Sequence, residues 1–295
     1  MNTNRLRGLL LGLLAFALAT PAAAKLRVVA STTDLGSIAA SVGGDQVEVA
    51  AIARPGSDPH RVEVLPSYMV RVSRAQLYLK VGLSLDQWAD QIIDGSRSGK
   101  LTVLDCSAHV SPLEVPTTRV DARQGDVHPN GNPHYWLDPH NEGLVALDIA
   151  EALARLDPAH AGDYRARATA FAADCEAARA DGIARLASLP TRQILTYHAS
   201  WIYFTDAMGL SVPAHVEPVP GIPPTAGHLQ ELVTLIQRQG IRVLLQEPYY
   251  SDDAPAFLAR QTPLRVAKVS PSCDDVTPGS TLDHFRAVVS AIAGD

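Results

Sequence analysis

The chain has 295 residues, a formal net charge of −6 and 46% hydrophobic residues. That composition is typical of a folded globular protein and excludes wholesale disorder. No block of basic residues is present, so nucleic acid is not expected as a partner. The length allows one large domain or two ordinary ones.

Residues 1–24 are predicted to be a signal peptide. Arg5 and Arg7 form a positive start, and residues 9–18 form an apolar run too short to span a bilayer comfortably. The alanines at 22–24 supply the small residues of a cleavage site, so the mature chain is expected to begin at Lys25. No cysteine stands at that point, which argues against a lipid anchor. These features predict a soluble, exported, periplasmic protein, and a membrane anchor is the alternative.

Strand-like and helix-like stretches alternate through the first half of the mature chain. Predicted strands cover residues 26–32, 47–52, 76–81 and 101–106, and predicted helices cover residues 34–42, 66–75 and 85–93. Such alternation is typical of a parallel sheet covered by helices. Residues 107–133 then break the pattern with Pro, Gly, Asp and Asn, which predicts a long loop of a kind that is often functional.

A long helix is predicted in the middle of the chain, over residues 157–190. Apolar residues recur there at helical spacing, from Tyr164 through Phe171 and Cys175 to Leu186, and Pro190 ends the pattern. A helix of about 30 residues would span roughly 45 Å, which suits a strut between two lobes.

The alternation resumes after this helix. Predicted strands cover residues 193–197, 212–216, 241–246 and 264–269, and predicted helices cover residues 201–208, 226–239, 253–260 and 282–292. The predicted fold class is therefore α/β, with two lobes that each contain a mostly parallel sheet covered by helices. The N-terminal lobe comprises residues 25–156, the linking helix residues 157–190, and the C-terminal lobe residues 191–295. A ligand is expected in the cleft between the lobes, at the carboxyl ends of the strands.

The chain contains three cysteines, Cys106, Cys175 and Cys273. An oxidising compartment allows one disulfide and leaves one thiol over, and a Cys106–Cys273 bridge is one option. Cys175 falls on a face of the predicted long helix and is expected to be buried. No C-x-x-C pair is present, which disfavours a thiolate metal site.

Three histidines have distinctive neighbours and fall where loops or strand ends are predicted. His60 follows Gly-Ser-Asp-Pro, His134 lies in Pro-His-Tyr-Trp-Leu-Asp-Pro, and His198 directly follows the strand predicted at 193–197. Glu247 likewise directly follows the strand predicted at 241–246. Three neutral imidazoles and one carboxylate would make a tetrahedral site suited to Zn²⁺. Spacing alone leaves other roles open. His198 could be a hydrogen-bonded polar residue at a strand end, and His60 and His134 could be loop residues in solvent.

The motifs around these histidines resemble those of the zinc/manganese-binding periplasmic solute-binding proteins of metal ABC importers, the ZnuA/TroA-like family. The segments at His60, His134 and His198 are similar to the three ligand motifs of that family, in the same order. Pro-Pro-Thr-Ala at 223–226 also resembles a segment of the family. The likeness extends from residue 27 to the end of the chain.

The resemblance implies a receptor that captures a divalent transition metal outside the inner membrane and delivers it to an ABC permease. It also implies two α/β lobes bridged by a single long helix. A histidine at the third position, here His198, accompanies zinc in this family, whereas a carboxylate accompanies manganese. Zn²⁺ is therefore the expected cargo, with Mn²⁺ or another divalent transition metal as the alternative. The protein is expected to be a monomer, and a metallochaperone is a further candidate partner.

The chain departs from that family at two places. Many zinc receptors of the family carry a long histidine-rich loop before the second ligand. Here the corresponding loop offers His128, which would either assist metal capture or lie in solvent. The family often places an aspartate just after the last strand, but here the aspartates are displaced, the first being Asp274. Glu247 and Asp274 therefore compete as the fourth ligand, with water as a third option. The alternative role for Glu247 is to accept a hydrogen bond from a ligand histidine.

The expected function is metal binding without enzymatic turnover. The main alternative is a zinc-dependent hydrolase or lyase, in which three histidines and an open position would activate water. Glu247 is the one obvious base for such an enzyme, and no catalytic motif accompanies it. A chelate or cobalamin receptor on the same fold is a third option, and it needs no histidine triad.

Overall fold

The computed structural model describes residues 24–118 and 128–295. The strands in these residues are Leu26–Ala30 (β1), Val47–Ala51 (β2), Leu77–Lys80 (β3), Thr102–Asp105 (β4), Leu195–Thr196 (β5), Val243–Gln246 (β6) and Arg265–Lys268 (β7). The α-helices are Thr33–Gly43 (α1), Pro66–Ser73 (α2), Trp88–Ser96 (α3), Pro139–Leu156 (α4), Ala161–Leu186 (α5), Ile202–Ala207 (α6), Ala226–Gln239 (α7), Asp253–Gln261 (α8) and Ser280–Ala293 (α9).

The strands form two parallel sheets, one in each half of the chain. Their orders are β2-β1-β3-β4 and β5-β6-β7. Along β1, Val28 and Ala30 pack into one apolar cluster and Val29 into another, because successive side chains point to opposite faces. Burial on both faces explains why residues 28–30 of β1 are all apolar. The predicted α/β class with two lobes is confirmed.

The parallel topology brings chemically useful residues to the same edge of each sheet. Strands β5 and β6 are neighbours, with Leu195 opposite Leu244. His198 follows the end of β5, and Glu247 directly follows β6. Because the carboxyl ends of parallel strands meet at one edge, these two side chains are brought to the same region.

Helix α5 is the longest helix of the described residues. It has 26 residues and, at 1.5 Å per residue, a length of about 39 Å. It packs along α4 and also contacts α1 and α9, so it touches helices from both halves of the chain. It begins at Ala161 rather than at residue 157, because Pro158 starts a separate 3₁₀ turn after α4 ends. The lobe boundaries given from the sequence stay a prediction.

One predicted strand is not continuous in the structure. Residues 212–216 do not form a ladder, and Thr196 and His215 make only an isolated parallel bridge there. Pro213 lies within the segment and has no N–H to donate to a neighbouring strand. The edge of the second sheet is therefore irregular beside β5.

The cysteines do not form the disulfide that the sequence left open. Cys106, Cys175 and Cys273 are all free and buried. Cys273 is held against α1, where its backbone N–H donates to Asp34 Oδ1 at 2.9 Å. Its Sγ donates to Asp275 O at 3.2 Å, whereas Cys106 lies just after β4. Burial raises the pKa of all three thiols, so each is protonated at neutral pH.

The predicted signal peptide lies outside the described residues, apart from Ala24. Across 24–118 and 128–295, none of the helices combines the length and the apolar character needed to span a membrane. The expectation of an exported chain therefore depends on the sequence pattern of residues 1–24.

Two buried carboxyl groups line one small cavity where helices of the two halves meet. Asp34 of α1 and Glu142 of α4 share this cavity with Thr281 and His284 of α9. Asp34 Oδ2 and Glu142 Oε2 have no hydrogen-bond partner among the described residues. Burial raises the pKa of Glu142 well above its ordinary value, and the nearby Asp34 charge raises it further. A negative charge on Glu142 is therefore unfavourable in the folded protein.

We expect Glu142→Gln to change how stability depends on pH. Native Glu142 keeps its proton to higher pH than the unfolded side chain does, so ionisation above a pKa of about 4.3 favours unfolding. The variant lacks this penalty, so between about pH 5 and about pH 8 its Tm should fall less than the wild-type Tm. If the variant regains about 1 kcal/mol of unfolding free energy, its Tm should be higher by about 2–4 °C.

Thermal unfolding followed by circular dichroism would test this expectation. Glu63→Gln, at an exposed position away from this cavity, is the matched control and should follow the wild-type curve. Parallel Tm curves for Glu142→Gln and the wild type would contradict it.

Candidate metal centre

Three histidine side chains from separate parts of the chain meet in one place. His60, His134 and His198 each present one ring nitrogen, and these three nitrogens lie within 4.8 Å of one another. The ring centroids are 5.1 Å apart for His60–His134, 5.7 Å for His60–His198 and 6.0 Å for His134–His198. His134 and His198 are only 2% and 3% exposed. The group is therefore largely shielded from bulk water.

Two of these histidines are held by the same local arrangement. Asp58 and Asn132 each stand two residues before a histidine, with a proline between them. Asp58 Oδ1 accepts hydrogen bonds from the backbone N–H and the ring Nδ1 of His60, at 2.9 and 2.8 Å. Asn132 Oδ1 does the same for His134, at 3.1 and 2.9 Å. Each Asx turn thus fixes the ring and leaves Nε2 for a ligand.

The third histidine is anchored by a more distant residue. His198 Nδ1 donates to Glu217 Oε2 at 2.7 Å, and Glu217 is itself 5% exposed. The same oxygen accepts the Gly221 N–H at 3.0 Å. The Glu217 N–H donates to Tyr197 O at 3.0 Å, which places the carboxylate beside the end of β5. All three imidazoles therefore have Nδ1 occupied by a hydrogen bond, and Nε2 is the nitrogen left for a metal.

Burial and charge affect the two most buried imidazoles differently. Burial lowers the pKa of His134 well below its ordinary value, and the neighbouring imidazoles lower it further. Burial also opposes protonation of His198, but the hydrogen bond to Glu217 and the charge of Glu247 raise its pKa above the ordinary value. Falling pH should therefore protonate His198 before His134. Because only a neutral imidazole binds a metal, acid should weaken binding.

The unused nitrogens fit a metal ion. The Nε2 atoms of His60 and His134 are buried and have no hydrogen-bond partner among the described residues. Buried polar atoms in folded proteins are nearly always paired, so such atoms need an explanation. Zinc bound at 2.0–2.1 Å in a tetrahedron places its ligand nitrogens about 3.4 Å apart. Because the ligand nitrogens of the three histidines lie within 4.8 Å of one another, each pair would have to approach by at most about 1.4 Å to reach that geometry.

Three tryptophans hold the surroundings of this group with their indole N–H groups. Each donates one hydrogen bond of 2.8–3.0 Å to a group beside the histidine motifs: Trp88 to Pro59 O, Trp136 to Pro271 O and Trp201 to Glu247 Oε1. All three tryptophans are buried. They also tie both halves of the chain to the site.

Glu247 lies beside the histidines but is not one of the closely spaced ligand residues. Its Oε1 accepts hydrogen bonds from Ser200 Oγ and Trp201 Nε1, each at 3.0 Å. Its Oε2 is buried and has no hydrogen-bond partner among the described residues. Burial raises the pKa of Glu247 to about 6, and the charge of His198 opposes that shift. The carboxylate is thus close enough to His198 for their charges to interact.

Asp274 and Asp138 lie outside the histidine group. Asp274 is exposed and lines a separate cavity with Arg54 and Arg71, and it is not in the histidine group. Asp138 caps α4, because its Oδ1 accepts the His140 N–H at 3.0 Å.

His128, in the loop between β4 and α4, lies next to the histidine group. Its ring stacks on that of His60 with centroids 5.2 Å apart. Together with His134 and His198 it lines a cavity of about 290 Å³. The structure therefore places this loop histidine at the site.

Glu217 is the residue near the site that sequence reasoning missed. It directly follows the strand predicted at 212–216 and precedes Pro218, as Glu247 directly follows the strand predicted at 241–246 and precedes Pro248. The same strand-end pattern could therefore have identified it. Its partner His198 is 19 residues away, and no regular element fixes that pairing.

We expect Glu217→Gln to lower metal affinity by about 10- to 100-fold, because the amide is a weaker acceptor and carries no charge to support His198. Competition between the protein and a chromophoric chelator, with zinc as the probe ion, would measure the change. Glu231→Gln, at a side chain that is 82% exposed, is the matched control. Equal affinities for Glu217→Gln and the wild type would show that the hydrogen bond does not support the metal ligand.

Comparison with known proteins gives a consistent result. The profile of the ZnuA family, described as "Zinc-uptake complex component A periplasmic", matches residues 28–294. The chain is similar to "High-affinity zinc uptake system protein ZnuA" of Paracoccus denitrificans (strain Pd 1222), with 28% identity over 314 residues and 93% of each chain covered. It is also similar to "Iron-binding protein YfeA" of Yersinia pestis, with 28% identity over 246 residues, covering 81% of this chain and 75% of that protein.

A solved structure shows the same fold. The "Crystal structure of ZnuA" superposes with a TM-score of 0.80 and 25% sequence identity. The superposition covers 92% of this chain and 98% of the other. The likeness therefore includes both sheets and the long helix between them.

Proposed function

Because this chain belongs to the family of periplasmic zinc-uptake complex component A proteins, we propose that it captures zinc in the periplasm and delivers it to an inner-membrane ABC permease. The ZnuA relative is named as a zinc uptake protein, and the chain covers nearly all of that relative's length. The cargo is held and then released, so the metal is the transported substrate.

The observation that carries this proposal is the arrangement of His60, His134 and His198. Each has Nδ1 held by a hydrogen bond, and one ligand atom from each lies within 4.8 Å of the others. Such an arrangement prepares three nitrogen ligands before the metal arrives. This preorganisation lowers the entropy lost on metal binding, since the ligand side chains are already fixed in the metal-free protein.

Nitrogen ligands favour zinc over manganese, which prefers carboxylate and carbonyl oxygens. Two carboxylates, Asp58 and Glu217, are hydrogen-bonded to ligand rings and would offset the charge of a divalent ion. YfeA is named as an iron-binding protein, so relatives of similar identity differ in their metal. The donor atoms of this chain are therefore what supports the proposal of zinc.

Isothermal titration of the mature chain with Zn²⁺, Mn²⁺ and Fe²⁺ would test the proposal. We expect one zinc ion per chain and a Kd well below about 1 μM, which corresponds to about −8 kcal/mol. Manganese should bind much more weakly. Absence of zinc binding below micromolar concentration would refute the function, and tighter binding of manganese or iron would refute the cargo.

The hydrolase alternative predicts a different outcome. It needs a base that can approach metal-bound water, and Glu247 is the residue that the sequence offered. Its Oε1 is already engaged by Ser200 and Trp201. We expect the zinc-loaded protein to show no turnover of ester or carbon dioxide substrates, and zinc-dependent turnover in such assays would favour an enzyme.

A further inference from the structure

Helix α1 carries polar side chains that bind the C-terminal part of the chain. Thr33 Oγ1 donates to Cys273 O at 2.6 Å, and Ser37 Oγ donates to Thr277 O at 2.8 Å. Asp34 Oδ1 accepts the Cys273 N–H at 2.9 Å. The paired residues are 239 or 240 positions apart in the sequence. These hydrogen bonds, here called the α1 seam, therefore join the two halves of the chain.

A small cavity adjoins the α1 seam, at the point where α1, α4 and α9 meet. Its polar lining includes Asp34, Glu142, Thr281 and His284. His284 Nε2 donates to Ser270 O at 2.9 Å, so this nitrogen is already paired. The cavity volume is about 10 Å³, which is close to the minimum for one water molecule. The space therefore excludes any ligand larger than a water molecule or a small ion.

Three oxygen atoms at this cavity are unpaired within the described residues. They are Asp34 Oδ2, Glu142 Oε2 and Thr281 Oγ1. The three residues are only 1%, 3% and 2% exposed, so bulk water does not reach them. Buried polar atoms are nearly always hydrogen-bonded, and leaving one unpaired is costly. Three such atoms around one cavity therefore indicate a shared partner.

Glu142 and Thr281 come from different halves of the chain and lie close together without a direct bond. Thr281 is near enough to oppose the rise that burial causes in the pKa of Glu142. Its Oγ1 nevertheless makes no hydrogen bond within the described residues. Polar groups held just beyond direct hydrogen-bonding range are commonly bridged by water.

Water matches the donors and acceptors of this cavity. Burial raises the pKa of Asp34 and of Glu142, and the charge of Asp34 raises that of Glu142 further. Glu142 therefore offers an O–H donor, as Thr281 does, whereas Asp34 Oδ2 offers an acceptor. A buried water usually makes about three hydrogen bonds, and the cavity offers three unpaired oxygens. A cation such as Ca²⁺ needs about six or more oxygen ligands, so these side chains do not complete a cation site.

We propose that Asp34, Glu142 and Thr281 hold one internal water molecule that bridges the two halves of the chain. Such a water accepts a hydrogen bond from Glu142 and donates one to Asp34 Oδ2, and the Thr281 hydroxyl completes its contacts. The site also lies behind the metal centre, since Trp136 lines the same cavity and its ring centroid is 5.3 Å from that of His134. The bridge does not require a bound metal.

A high-resolution crystal structure of the metal-free mature protein would test the proposal directly. We expect one ordered water in the wild type, about 2.7–3.2 Å from Asp34 Oδ2, Glu142 Oε2 and Thr281 Oγ1. Thr281→Val removes the hydroxyl at nearly constant volume and should lose the water, whereas Thr281→Ser should retain it. A direct hydrogen bond between the two carboxyl groups, or a metal ion in the cavity, would overturn the proposal. A water that persists in Thr281→Val would overturn it as well.

Labelling of Cys273 with a maleimide would test the bridge in solution. Peptide mapping separates this thiol from Cys106, which lies just after β4 and outside the α1 seam. We expect Cys273 to react about 10-fold faster in Thr281→Val than in the wild type, because fewer hydrogen bonds oppose opening of the seam. The labelling of Cys106 should not change.

Thr234→Val, at an exposed position of α7, is the matched control and should label as the wild type does. Unchanged labelling of Cys273 in Thr281→Val would show that no water bridge holds the seam. The wild-type crystal structure decides the water site even if the valine variant does not fold.

Discussion

Replacement of His134 by alanine should lower zinc affinity by about 100- to 1000-fold. Structural zinc sites bind with roughly 10–16 kcal/mol through four ligands, so one ligand contributes about 2.5–4 kcal/mol. Each 1.4 kcal/mol corresponds to about a tenfold change in Kd. His134 suits this test because its ring is fully buried and its Nε2 has no hydrogen-bond partner in the described residues. Its loss removes a ligand without leaving a buried carboxylate unpaired.

Chelator competition would measure the affinity, and His109→Ala would serve as the control for histidine removal outside the site. The turn should survive in His134→Ala, because Asn132 Oδ1 also accepts the backbone N–H of residue 134. Far-UV circular dichroism and urea unfolding without metal should therefore change little. A loss of affinity smaller than about tenfold would show that His134 is not a ligand.

Trp201→Ala should cost about 3–5 kcal/mol of unfolding free energy in the metal-free protein, as for other large aromatic residues deleted from a core. Trp201 is fully buried and packs edge-to-face on Phe204, with ring centroids 6.1 Å apart. Its Nε1 also donates to Glu247 Oε1, so the variant loses a hydrogen bond to a buried carboxylate. The expected destabilisation therefore combines a cavity with an unsatisfied acceptor.

Urea unfolding without metal is the suitable measurement, because bound zinc would add its own stabilisation. Leu147→Ala, at a position 43% exposed, is the control for removal of an apolar side chain and should cost far less. Trp201→Phe separates the two effects, since it retains most of the ring volume and removes the donor. A cost below about 1 kcal/mol for Trp201→Ala would contradict the role of this residue in the core.

The alternation of strands and helices was predictable because it depends on local composition. Helix α7 has the predicted bounds, Ala226–Gln239, since Thr225 caps its start and Gly240 ends it in the left-handed conformation. Helix α3 begins later than predicted, at Trp88. The helix is delayed by a turn in which Leu83 and Ser84 both have positive φ, at 47° and 69°. Leu and Ser rarely adopt positive φ, so the sequence pattern does not predict this turn.

The site was predictable only in part. The sequence offered His60, His134 and His198 because each stands at a loop or strand end with unusual neighbours. It did not offer the partnership of His198 with Glu217, because that contact depends on the path of an irregular segment between β5 and α7. It could not place His128, Glu247 or Asp274 relative to the three histidines either, since those distances are set by tertiary packing.

The three buried thiols have a practical consequence for following the molecule in solution. A thiol reacts with a maleimide only as an accessible thiolate, and Cys106, Cys175 and Cys273 are both enclosed and protonated. Each lies in a different setting: after β4, within α5 and beside α1. The labelling rate at each position would thus report how often that part of the native chain opens. The three native cysteines can therefore report local opening of the protein without any engineered labelling site.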